Sequence, residues 1–134
     1  NPALHLNLLE THGLTLVSEL IKKAEDWLEI AKYALSVDRF WLVCYASHQA
    51  VELYAKGVLF MRAGSYPFTH NLVTLIKLID LNASSEILNS CRALNPHYSA
   101  SRYDSSSIYD KDTAEQCLKY AEVVIAWLRT LLGE

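Results

Sequence analysis

The sequence predicts an all-α, up-and-down bundle of four to five helices, with a long loop before the last helix. Three observations predict it. Apolar residues recur at helical spacing through successive segments, and no alternating stretch is long enough to build a sheet. Four Gly and three Pro in 134 residues are too few for the many turns of a β-fold. The chain is 51% apolar and 20% charged, a balance that supports one buried core rather than disorder.

Residues 1–14 have no clear period. Leu4, Leu6 and Leu8 alternate, but one isolated strand has nothing to pair with. The stretch reads as an N-terminal arm, and residues 15–134 as one helical bundle domain. The first helix is expected over 15–37, with Val17, Leu20, Ile21, Ala24, Leu28, Ala31 and Leu35 on one face and Trp27 beside it. Residues 36–40 interrupt the period, and Asp38 is a plausible N-cap. The second helix then runs over about 39–62, and so short a link makes it the antiparallel neighbour of the first. Gly64 and Pro67 end it. Thr69 reads as the cap of a third helix over 70–80, with Leu72, Leu75, Ile76 and Ile79 inward. Ser84 or Ser85 caps a short helix with Ile87, Leu88, Cys91 and Leu94 on its face, and Asn95-Pro96 stops it. Residues 95–111 form the one long irregular segment, and its three tyrosines argue against simple disorder. The last helix opens at Asp112, where Glu115 completes a capping-box pattern. It then repeats Ala114, Cys117 or Leu118, Ala121, Val124 or Ile125, Leu128 and Leu132 at bundle spacing.

A net charge of −3 argues against a broad nucleic-acid-binding surface, while leaving room for a local basic spot. Cys44, Cys91 and Cys117 are far apart and odd in number. They read as reduced thiols of a cytoplasmic protein. No apolar run reaches membrane-span length, so no membrane partner is expected. The five His share no ligand spacing, and no CxxC, HExxH, GxSxG or phosphate loop is present. Neither a metal nor a cofactor is therefore expected, apart from a nucleotide ligand.

The second helix carries the main chemical question. Residues 44–60 are apolar on nearly every side, so this helix must be mostly buried. Yet Tyr45, Gln49, Glu52 and Lys56 fall at i, i+4, i+7 and i+11, within about 60° of one another around the axis. Polar groups on a buried helix need partners. Glu52 and Lys56 form an i, i+4 pair in the better orientation. That pair is either a brace at the bundle edge or part of a cleft in which Lys56 meets a phosphate. His70 is either an exposed first-turn residue or, if the third helix starts beside the end of the second, a candidate base or phosphate donor. Arg102-Tyr103-Asp104 is either an exposed turn or a segment that returns Arg102 to the stripe, against Glu52 or a phosphate. Arg92 and His97, followed by Tyr98, make an R-x4-H pair. The bland alternative is a helix-end Arg and a loop His.

Taken together, these residues resemble a family. Trp27-Leu28 and Ala31 precede Ser47-His48-Gln49-Ala50-Val51-Glu52 with Lys56. Thr69-His70-Asn71-Leu72 follows, then Tyr98 with Arg102-Tyr103-Asp104. This order and spacing resemble HEPN domains, named for higher eukaryotes and prokaryotes nucleotide-binding, over roughly residues 15–132. The resemblance implies an up-and-down helical bundle, often dimeric. Many prokaryotic members are encoded beside a minimal nucleotidyltransferase as toxin and antitoxin. Some are metal-independent ribonucleases that use R-x(4–6)-H across a dimer. The family's RYPD is RYD here, with Ser105 where an acidic residue would follow.

Two functions are expected from this reading. The first is a dimeric nucleotide-binding and interaction module, partnered by a nucleotidyltransferase. Its ligand would lie among Gln49, Glu52, Lys56, His70, Arg102, Tyr103 and Asp104. The second is a metal-independent ribonuclease acting on RNA, with Arg92 and His97 as catalytic residues. A third, duller possibility is a structural bundle whose stripe buries a dimer contact. On any of these, Glu52 is expected to pair with Arg102 or Lys56 as a brace, and a ligand to meet the basic group left over.

Overall fold

The computed structural model describes the backbone of residues 2–133 and the side chains of 13–133. It is all-α, as expected. The helices are α1 (Pro2–Ser36), α2 (Phe40–Ala63), α3 (Leu72–Ile79), α4 (Ser85–Leu94), α5 (His97–Tyr103) and α6 (Lys111–Leu131), with a 3₁₀ turn at Ser106–Ile108 before α6. No strand occurs among the described residues.

Helix α2 is the axis of the bundle. It packs against α1, α6, α3 and α5, which is why it is apolar nearly all round. Val43, Ala46, Ala50, Val51, Tyr54, Ala55 and Val58 are fully buried. α1 meets it through Leu20, Ala24, Leu28, Ala31 and Ala34. The approach is closest at Gly57, where an added Cβ would stand 2.7 Å from Ile21 Cδ1. α6 closes the other side with Ala114, Cys117, Leu118, Ala121, Val124, Ile125 and Leu128. Arg129 ties its end to α1 by two Nη2 contacts of 2.8 Å to the Glu25 carboxylate.

Several local expectations are corrected. The stretch expected as an aperiodic arm is helical from Pro2 and continuous with α1. Asp38 does not cap α2. It takes a left-handed φ of 58° in the turn, and Arg39 stands at the cap position without a side-chain bond. The α3 cap is Asn71, whose side chain accepts from Val73 N and Thr74 N, rather than Thr69. The α6 cap is Asp110, which accepts from Thr113 N, rather than Asp112. Ser84 caps α4 as anticipated, and Gly64 takes the left-handed position that ends α2.

The largest correction concerns the long loop. Asn95-Pro96 ends α4 but does not open an irregular segment. Pro96 takes helical φ/ψ at the cap of α5, where its missing N–H costs nothing. Asn95 secures this corner by accepting from Leu72 N at 2.8 Å and donating to Asn71 Oδ1 at 2.9 Å. The start of α3 and the α4–α5 junction are therefore fixed side by side.

Candidate functional site

The stripe on α2 is a buried electrostatic brace. Glu52 is 3% exposed and Lys56 7%, and Lys56 Nζ donates to Glu52 Oε2 at 3.1 Å. The Lys56 ammonium also lies 5.5 Å from the Tyr66 ring centroid. The carboxylate's other oxygen, Oε1, takes His70 Nδ1 at 2.9 Å. Of the two partners proposed for Glu52, the structure supplies Lys56. Arg102 does not reach the carboxylate.

His70 comes near the stripe because the turn after α2 folds straight back into α3. Its side chain is 52% exposed. A carboxylate only accepts, so the Glu52 contact requires the proton on Nδ1 and leaves Nε2 as an acceptor. Tyr98 Oη lies 2.9 Å from that nitrogen. The two rings are also stacked, with centroids 3.9 Å apart and planes at 16°. Tyr98 thus meets His70 through both its hydroxyl and its ring face.

Helix α5 positions the remaining groups. Arg102 is exposed, and its Nε donates to Tyr98 O one turn back at 2.8 Å. Its guanidinium carbon lies 4.5 Å from the Tyr98 ring centroid, 4.9 Å from that of Tyr45 and 5.0 Å from that of Tyr103. Tyr45 stacks in turn on Trp27 of α1 at 5.7 Å. No carboxylate pairs with Arg102 among the described residues. Tyr103 is exposed, as is Asp104. A cavity of about 250 Å³ lies alongside, lined by His70, Asn71, Asn95, Tyr98 and Ser99. A larger hollow of about 470 Å³ is lined by Gly13, Leu14, Val17, Phe60, Met61 and Gly64. It offers no titratable side chain.

His48, one turn before Glu52, is fully buried. Its Nε2 meets His70 O at 3.0 Å, and its Nδ1 faces Glu52 Oε1 at 3.9 Å. Burial lowers its pKa to about 4, against the opposing pull of Glu52 and Gln49. Neutral His48 thus fixes the backbone of the residue that carries the exposed imidazole. Gln49 is half-buried, and its Oε1 is enclosed without a hydrogen-bond partner.

Arg92 and His97 are not brought into contact. Arg92 is exposed on α4 and donates to Asn89 Oδ1 at 2.8 Å. His97 turns inward, with Nδ1 2.7 Å from Tyr109 Oη. Sequence spacing gave no sign of what lies beside it, the thiols of Cys44 and Cys117. It also missed His48 and the helix that carries Tyr98 and Arg102. The alternation of Tyr98 and Arg102 at i, i+4 was the available signal.

Comparison with known proteins agrees with this fold. The family model of the HEPN domain matches residues 17–131. A Methanocaldococcus jannaschii protein named "Putative toxin MJ1304" is 30% identical over 132 aligned residues, covering 85% of this chain and 86% of its own. The crystal structure of TT1696 from Thermus thermophilus superposes with a TM-score of 0.80 at 21% identity, over 86% of this chain and 97% of the other. ST0689, described as an archaeal HEPN homologue, gives a TM-score of 0.73 at 29% identity, over 85% and 95% of the two chains. A HEPN domain protein of Thermotoga maritima gives 0.71 at 24%, over 87% and 98%.

Proposed function

The chain belongs to the HEPN domain family, and from that premise we propose that it is a nucleotide-binding module of a toxin–antitoxin pair. The observation that carries this reading is Arg102. Its guanidinium is exposed and lies over Tyr45, Tyr98 and Tyr103, with no carboxylate partner among the described residues. A planar fork held on aromatic faces is preorganised for a phosphate. His70, held through Nε2 by Tyr98, lines the cavity beside it, and exposed Tyr103 is a platform on which a base can stack. Lys56 and Glu52 neutralise each other in the core and position His70. Gln49 and Asp104 border the site.

The working unit is a homodimer on this reading. Phe68, Leu78 and Leu81 leave apolar surface exposed around α3, which a second copy would cover. The partner is a minimal nucleotidyltransferase. The curated relative's name supports the toxin role. Three buried free thiols suit a reducing cytoplasm, and no described helix is long and apolar enough to cross a membrane.

Titration calorimetry with ATP and GTP tests the binding reading. Saturable heat at sub-millimolar to millimolar nucleotide is expected, and no heat up to that range refutes it. The ribonuclease reading rests on the R-x4-H spacing. The inward turn of His97 onto Tyr109 weighs against it.

A further inference from the structure

Three side chains from three helices converge on one buried point. Cys44 belongs to α2, His97 to the first turn of α5 and Cys117 to α6. One ligand atom from each lies within 4.8 Å of the other two. Cys44 is fully buried, Cys117 is 2% exposed and His97 is half-buried, which leaves an entry path from its side. We propose that this cluster is a binding site for a soft d¹⁰ metal ion, Cu(I) or Zn(II), held by two thiolates and one imidazole.

The chemistry of the donor set selects that class. Thiolate and imidazole together favour Cu(I) and Zn(II) over Mg(II), Ca(II) or Mn(II), which prefer oxygen. Zn–S bonds of about 2.3 Å place two tetrahedral sulfurs roughly 3.8 Å apart. The ligand atoms already lie within 4.8 Å of one another, so the sulfurs need close by at most about 1 Å on binding, a movement within the reach of side-chain rotation. His97 Nδ1 is engaged with Tyr109 Oη at 2.7 Å, so Nε2 is the ligand, and Nδ1–H donates to the tyrosine. A metal-bound imidazole commonly holds its second N–H in this way. Tyr109 is itself buried, so the ring is fixed from behind. Binding is a simple exchange: the ion enters, two thiol protons leave to solvent, and no electron moves when copper is supplied as Cu(I). The third cysteine, Cys91, lies outside the cluster.

The test uses the full chain, stripped with a chelator and kept reduced. Zn(II) alone and Cu(I) alone are added in separate arms, and bound metal is measured after desalting. One equivalent of at least one ion is expected to remain on the wild type. Cys117→Ser and Cys44→Ser are expected to weaken retention at least tenfold, and Cys91→Ser to leave it unchanged. X-ray absorption on the wild type gives a check that does not depend on any variant folding. It should show two sulfurs and at least one nitrogen around the ion. The proposal is overturned if the wild type retains neither ion, if Cys117→Ser retains it equally, or if the absorption spectrum shows no sulfur. A Cys44–Cys117 disulfide that forms on air exposure, with no metal retained under reduction, overturns it as well.

Discussion

His70 Nδ1 lies 2.9 Å from Glu52 Oε1, so an imidazole at the rim of the site is tethered to a carboxylate in the core. That carboxylate is also the counter-charge of buried Lys56. One glutamate thus serves both the stability of the bundle and the orientation of the site.

Removing Glu52 should therefore be expensive. Glu52→Ala leaves Lys56 charged and unpaired in the core, a change expected to cost about 3–5 kcal/mol in urea unfolding. Adding Lys56→Met should recover part of that loss, because an apolar pair of similar volume needs no counter-charge. A double-mutant cycle is expected to give a coupling of about 1 kcal/mol or more. Additive losses would show that the two residues act independently.

The Arg129–Glu25 pair is predicted to matter far less. Both side chains are more than a third exposed, at 39% and 40%, so solvent screens them. Arg129→Ala should cost only about 0.5–1 kcal/mol despite the forked geometry. A loss of about 3 kcal/mol would mean that the pair is coupled to the core beneath it.

Stability should fall on mild acidification through His48. Its folded pKa is about 4, below the ordinary value of about 6.5 in the unfolded chain. Between these values the unfolded state binds more protons, so the native state loses stability as the pH falls through that window. The contribution is complete above about pH 6.5, and about 2 kcal/mol of it should be gone at pH 5. Urea unfolding of the wild type and His48→Gln at pH 7.5 and 5 checks this. The difference between the two proteins should shrink at the lower pH.

Packing gives a further prediction at Gly57. A Cβ there meets Ile21 Cδ1 at 2.7 Å and Cγ1 at 3.2 Å. Gly57→Val should force α1 and α2 apart and cost about 1–3 kcal/mol. Gly57→Ala should cost less, because the crowding falls on the flexible end of Ile21 and alanine favours the helix.

The sequence was informative where periodicity is strong. Leu72, Leu75, Ile76 and Ile79 were placed inward and are buried, and so is the predicted face of α6 from Ala114 to Leu128. Caps were misplaced by one or two residues because neighbouring side chains compete. Asp110 and Asp112 both suit an N-terminus, and the backbone N–H of Thr113 selects Asp110. α5 escaped detection because its seven residues bury only Ser101 and so show no apolar stripe. With α5 unplaced, Arg102 was set against Glu52 or a phosphate, and its contact with the tyrosine rings was not foreseen. The Cys44–His97–Cys117 cluster had no local signal, since its members come from three separate helices brought together by packing.

On the proposed function, Arg102 and not Arg92 meets the ligand. The most direct measurement is titration of ATP or GTP into the wild type, Arg102→Ala and Arg92→Ala, with circular dichroism as a control for folding. Arg102→Ala should weaken binding at least tenfold, a loss of about 1.4 kcal/mol or more, and Arg92→Ala should stay within twofold of the wild type. Undiminished binding by Arg102→Ala, or a loss confined to Arg92→Ala, would contradict the account.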